Sequence, residues 1–147
     1  MQLKYFLLTL ALCGCASTSN KQVEDLLQQA VELEFHQRKY TQALSVYEEL
    51  CNKHNHYKSC GQAGYFLSGM PPSKVPSNPQ KARQYFEKGC NGNHGFSCSL
   101  LGYQYRFVIK DHHKAMNYYK KACHLHQMGY KDWCDSYKKL SDSLNNQ

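Results

Sequence analysis

The sequence predicts an all-α protein, an α/α solenoid of helical hairpins stapled by disulfides. Three observations carry this. The pattern Ala-x3-aromatic-x3-Cys occurs at Ala43-Tyr47-Cys51, Ala82-Phe86-Cys90 and Ala115-Tyr119-Cys123. Six of the eight cysteines stand in three close pairs along that repeat, Cys51/Cys60, Cys90/Cys98 and Cys123/Cys134. No stretch reads convincingly as a strand. Positions i, i+4 and i+8 lie along one side of a helix, so each copy buries one small residue, one ring and one thiol in a stripe. The alanines are 39 and 33 residues apart, close to the repeat lengths of helical-hairpin solenoids.

The N-terminus opens with one cation, Lys4, an apolar run from Tyr5 to Leu12 and the small residues that follow Cys13. That is the grammar of a secretory signal, and the run falls well short of the roughly 20 residues that span a bilayer as a helix. Leu12-Cys13-Gly14-Cys15 resembles the bacterial lipobox, with Cys15 the acylated residue because small Gly14 precedes it while bulky Leu12 precedes Cys13. Residues 1–14 are therefore expected to be removed. Residues 15–21 would form a lipid anchor and tether, palmitate included, and 22–147 the repeat domain. Ala16 after the cysteine, rather than Asp, looks like an outer-membrane address, so the expected location is the bacterial outer membrane or periplasm, with surface exposure or secretion as variants of it.

Val23 to Arg38 has apolar residues at 23, 26, 27, 30, 31, 33 and 35, which predicts an amphipathic helix over 22–38 packing on the first motif helix. Motif helices follow at 41–53, 79–90 and 111–125, each with a partner, at 58–69, 95–107 and 130–143. Asn78 before Pro79 gives a cap and a first-turn proline, and Asp111 caps the helix after it. The proline-rich stretch from Met70 to Asn78 accounts for most of the longer first spacing. Two partner helices agree as Cys60-x3-Gly64-Tyr65 and Cys98-x3-Gly102-Tyr103; the glycine admits a neighbouring helix at a propensity cost of about 1 kcal/mol. Lys138 replaces it in the third copy, as expected of an atypical terminal repeat capping the stack.

At 147 residues the chain makes one domain with a modest core. A net charge of +7 favours anionic lipid or acidic partners, and a solvated basic surface is its plainest meaning. Nucleic acid is an unsuitable partner, because an exported protein would rarely meet it. Once Cys13 is lost and Cys15 is acylated, six cysteines in an exported chain argue for disulfides. Six alone allow 15 connectivities, and the internal repetition removes most of that ambiguity.

The stretches Lys81-Ala82 to Cys90, Leu101-Gly102-Tyr103-Gln104-Tyr105 and Lys114-Ala115 to Cys123 resemble the Sel1-like repeat, a relative of the tetratricopeptide repeat. With the cysteine pairs added, the sequence is similar to the Helicobacter cysteine-rich protein family over roughly residues 40–140. It departs in having fewer repeats, a lipid-type signal and pair spacings of eight, seven and ten residues. The resemblance implies that each cysteine pair, 51/60, 90/98 and 123/134, bridges the end of one helix to the start of the next. It also implies a penicillin-binding or weak β-lactamase label.

Histidines His54, His56, His94, His124 and His126 in the same loops permit a rival zinc reading, since Cys51, Cys60, His54 and His56 would supply four ligands. The spacing differs from known fingers, the second loop offers only three ligands, and an oxidising compartment would consume the thiols. No metal or other cofactor is expected. Ser136-Tyr137-Lys138-Lys139 matches Ser-x-x-Lys, making Ser136 and Lys139 the weak catalytic candidates for a β-lactam hydrolase. The Lys-Thr-Gly partner is missing and the fold is unsuited, so an enzyme is the less favoured reading.

The favoured reading is a lipid-anchored scaffold of the bacterial envelope that binds proteins or peptides in a concave groove. Tyr65, Tyr103, Tyr105 and Arg106 are the groove residues, and peptidoglycan is a further partner to test.

Overall fold

Ala43, Ala82 and Ala115 are completely buried, and the rings of Tyr47, Phe86 and Tyr119 lie buried one turn further along the same helices. This stripe is what joins the helices, and it recurs because the sequence recurs. The computed structural model describes residues 19–71, 74–125 and 131–146. The signal, the acylation candidate Cys15 and His126 lie outside them.

Seven helices follow in order: α1 (19–31), extended by a wider π-type turn over Glu32–His36; α2 (Tyr40–His54); α3 (Tyr57–Leu67); α4 (Pro79–Asn91); α5 (Gly95–Tyr103), extended likewise over Gln104–Ile109; α6 (His112–His124); and α7 (Lys131–Asn145). Among the described residues there is no strand. Helix α1 is already formed at residue 19, so the last three residues assigned to the tether are helical instead. Each helix packs against the next. Odd-numbered helices form one layer and even-numbered helices the other, and α3 also packs directly on α5.

Two predicted caps are present: the Lys81 amide donates to Asn78 Oδ1 (3.1 Å) and the Lys114 amide to Asp111 Oδ1 (2.9 Å). Both satisfy first-turn donors that a helix leaves open. The repeat glycines face the motif rings of the following helix. A Cβ on Gly64 would stand 2.6 Å from the Phe86 ring, and one on Gly102 would stand 2.9 Å from the Tyr119 ring. Lys138, at the corresponding place on α7, is exposed. On the even layer, Lys81 pairs with Glu48 at 2.6 Å and Asn52 donates to the Tyr85 hydroxyl at 3.2 Å, linking α2 to α4.

Disulfides join Cys51 to Cys60, Cys90 to Cys98 and Cys123 to Cys134, with Cα separations of 4.8, 4.6 and 4.7 Å, inside the range that such a bridge requires. Each links the end of an even helix to the start of an odd one. All three therefore lie on one edge of the stack, and the α1–α2, α3–α4 and α5–α6 connections lie on the other. One expectation for α1 fails. Ala30 and Leu33 are buried, but Val31 and Phe35 are exposed: the π-type turn still packs on α2, where the Tyr47 hydroxyl donates to Glu34, and leaves Phe35 on the outer side.

Candidate functional site

Helices α3, α5 and α7 share one layer of the stack and are joined across it by ring contacts. Lys58, Gln62 and Tyr65 occupy one side of α3 at i, i+4 and i+7, and Phe96 and Tyr103 stand seven apart on α5, a spacing that keeps side chains on a common face. The rings form a row: Tyr65 to Phe96 is 6.3 Å between centroids, and Phe96 to Trp133 of α7 is 6.5 Å. These are ordinary separations for interacting aromatic pairs. Beside the middle ring of the row lies a cleft of about 350 Å³ lined by Lys58, Gln62, His94 and Phe96. It presents an ammonium, an amide, an imidazole and a ring together.

The imidazole is held by a device that recurs. His56-x-x-Ser59-Cys60 and His94-x-x-Ser97-Cys98 are the same motif, and in each the ring Nδ1 shares a 2.8 Å hydrogen bond with the serine hydroxyl. Both serines are buried. Burial, then the Lys58 charge, then His56 push His94 down to about 4. His56 is lowered by burial and then by Lys58. Both rings are therefore neutral near pH 7, and they fix the entry of α3 and α5 beside the disulfides. Gly61 makes room, since a Cβ there would stand 2.8 Å from both the His94 ring and Ser97 Oγ. Further along the face, the Tyr47 hydroxyl donates to Glu34 at 2.6 Å, and burial followed by that hydrogen bond and the Glu34 charge raises its pKa.

The four predicted groove residues are not brought together. Tyr65 is in the aromatic row, half-buried, with its hydroxyl donating to the Pro71 carbonyl. Tyr103 is exposed on the same side of α5, with its ring tilted against Phe107 at 4.7 Å between centroids. Tyr105 belongs elsewhere: it stacks on Tyr118 of α6 at 5.3 Å, because residues two apart face opposite sides of a helix. Arg106 lies over the Phe107 ring at 4.9 Å, clear of the row. Lys58, Gln62, Phe96 and Trp133 belong to the site without having been singled out by the sequence. The seven-residue spacing of Phe96 and Tyr103 is the available signal.

The disulfides leave the loop sulfurs unable to act as thiolate ligands, and among the described residues no group of three acidic, histidine or cysteine side chains is placed to hold a metal. Ser136 is half-buried and Lys139 exposed, one turn apart on α7, and neither lines the cleft. The β-lactam hydrolase reading gains no support from this arrangement.

Residues 62–94 and 95–126 each match the Sel1 repeat. The matched units pair α3 with α4 and α5 with α6, so the Cys90–Cys98 disulfide ties one unit to the other. A cytochrome c oxidase assembly factor 7 homolog of Drosophila melanogaster is 35% identical over 90 residues, which are 60% of this chain and 33% of that protein. The chain thus spans about a third of the length of the fly protein. The solved structure of Helicobacter pylori cysteine rich protein B superposes with a TM-score of 0.53 at 25% identity, covering 78% of this chain and 94% of that one. The likeness lies in the helical stack, and a cysteine-rich neighbour is in keeping with the three bridges described above.

Proposed function

We propose that this chain is a lipid-anchored, disulfide-stapled Sel1-repeat scaffold that works outside the cytoplasm and holds a protein or peptide on the face formed by α3, α5 and α7. The observation that carries the reading is the row Tyr65, Phe96 and Trp133, whose central ring lines the cleft of Lys58, Gln62 and His94. Aromatic rings supply contact area at low entropic cost, and the ammonium and amide supply the few directed hydrogen bonds that fix a bound chain. A partner with a carboxylate side chain or terminus suits Lys58. The fly relative's name, an assembly factor, is in keeping with a protein that holds other proteins.

Three disulfides suit an oxidising compartment, and among the described residues no helix is long and apolar enough to cross a membrane. Attachment therefore falls to Cys15, the acylation site in this reading.

The test is photo-crosslinking from position 96 in envelope fractions, with the crosslinked partner rebound in purified form. Lys58→Glu is expected to weaken that rebinding about tenfold or more, as truncation or reversal of a central charged contact does, while Lys139→Glu leaves it unchanged. Equal rebinding by both variants would reject the α3, α5 and α7 face. Metabolic labelling with an alkynyl palmitate, lost in Cys15→Ser, tests the anchor separately.

A further inference from the structure

Seven large hydrophobic side chains are exposed among the described residues, and six of them sit at the ends of just two helices: Val31 and Phe35 on α1, and Tyr103, Phe107, Val108 and Ile109 on α5. Both ends lie on the edge opposite the disulfides. Both are π-type, with amides reaching back five residues, Gln37 to the Glu32 carbonyl and Lys110 to the Tyr105 carbonyl. Each is stopped by a cation in the left-handed region, Arg38 (φ 53) and Lys110 (φ 63). Helix α3 ends on the same edge as an ordinary α-helix, and there Phe66 and Leu67 are buried.

The α5 end is a tip and not a docking stripe. Phe107, Val108 and Ile109 are consecutive and expose 53, 61 and 41% of their surface. Consecutive residues sweep around a helix instead of repeating on one side, so no flat partner could cover all three. A medium that closes around them could. Exposed cations outnumber acids beside the tips: Arg38, Lys39, Lys74 and Lys110 stand along this edge, while of the acids in the α1 tip Glu32 accepts from Gln37 Nε2 at 3.4 Å and Glu34 from the Tyr47 hydroxyl at 2.6 Å. In the loops 36–39, 74–78 and 110–111 the single acid is Asp111, and it is occupied with the Lys114 amide at 2.9 Å and the Lys114 ammonium at 3.6 Å. Apolar tips that can dip a few ångströms below headgroups, ringed by cations on long stems, match an anionic lipid surface.

From this placement we infer that the edge opposite the disulfides is a membrane-docking edge, with Phe107, Val108 and Ile109 entering the headgroup boundary of an anionic leaflet and Phe35 as a second contact. The face formed by α3, α5 and α7 lies on another side of the stack and stays free for its partner. This contact is separate from any acyl chain at Cys15, since residue 19 is at the far end of α1 from Phe35.

The test uses the full chain and vesicles of phosphatidylcholine with or without about 30% phosphatidylglycerol, a charge density chosen to resemble an anionic leaflet. Phe107→Trp is expected to shift to the blue and to be quenched by brominated acyl chains on phosphatidylglycerol vesicles, while the native Trp133 is not. Val108→Asp with Ile109→Asp should lower vesicle partitioning about tenfold, and Lys110→Ala about fivefold at low salt. Both aspartates fall on exposed positions, and an unchanged melting temperature verifies the fold. The apolar run at 5–12 is common to every variant, so differences between variants report the tip alone. Equal partitioning of the double variant and the native chain would overturn the proposal, as would an unquenched indole at position 107 in the vesicle-bound Phe107→Trp variant. Concentration-dependent dimers that vanish in the double variant, without vesicle binding, would assign the tip to a second copy and overturn it as well.

Discussion

The two edges of this stack solve the same problem, reversing the chain between helices, in opposite ways. On the cysteine edge the α2–α3 and α4–α5 turns are short, bridged by sulfur and held by a His–Ser hydrogen bond beside each bridge. On the other edge the connections differ in length and composition, two helices end in wide turns, and apolar side chains stand in the open. Stability is concentrated where the repeat is strict. Variation is permitted where no covalent link has to be closed, which is also where surface chemistry can accumulate.

The contrast can be broken most forcefully by removing the bridges. In the chain-entropy model each one closes a loop of about nine residues and contributes about 2.6 kcal/mol, so all three together approach the whole stability of a small domain, roughly 5–15 kcal/mol. Thermal melts with and without reductant should differ by tens of degrees, and Cys51→Ser with Cys60→Ser should account for about a third of the loss. Next in size is the packing that crosses the middle of the helices. Gly64→Ala would push a methyl to 2.6 Å from the Phe86 ring and 3.0 Å from the Ala82 carbonyl, and overpacking of this kind costs about 1–3 kcal/mol. Lys138→Ala at the matching place on α7 should leave the melting temperature unchanged.

The histidine clamp sharpens the comparison through pH. The folded state holds His94 at about 4, below the ordinary 6.5, so between those values the unfolded chain binds more protons and stability rises with pH. It is lost as pH falls from 6.5 through about 4. Allowing for partial solvent screening of a ring that is not fully enclosed, the loss is about 1–2 kcal/mol. His94→Asn should flatten this part of the denaturation midpoint profile. The smallest effect belongs to the open edge: Lys110→Gly relieves a left-handed residue and should add about 0.5–1 kcal/mol, read as a small rise in melting temperature.

Much of the fold was legible because several local rules agreed at the same positions. The alanine, ring and cysteine of each motif fixed the motif helices, Asn78 and Asp111 marked starts, and Gly64 and Gly102 marked where the next ring would press. The ends of α1 and α5 were not legible. Arg38 and Lys110 give no hint of a left-handed stop, which usually falls to glycine or asparagine. The wide turns before them shift the helical register that placed Phe35 in the core. The binding face was legible only in part. Tyrosine content points to Tyr105, which packs against α6, while Phe96 and Trp133 carry no motif of their own. The His-x-x-Ser-Cys repeat is visible in the letters, but what it does depends on a hydrogen bond between side chains three residues apart that only coordinates reveal.

The bridges also follow a simple order. Among the described residues the six cysteines pair in sequence order, neighbour with neighbour, at separations of 9, 8 and 11 residues. A chain emerging from a pore with its N-terminus leading would deliver every partner within a few residues of the last, before a competitor arrives. Oxidative folding of this protein is therefore expected to need a thiol oxidant and no shuffling enzyme, and the yield of native pairing in refolding should be indifferent to added isomerase.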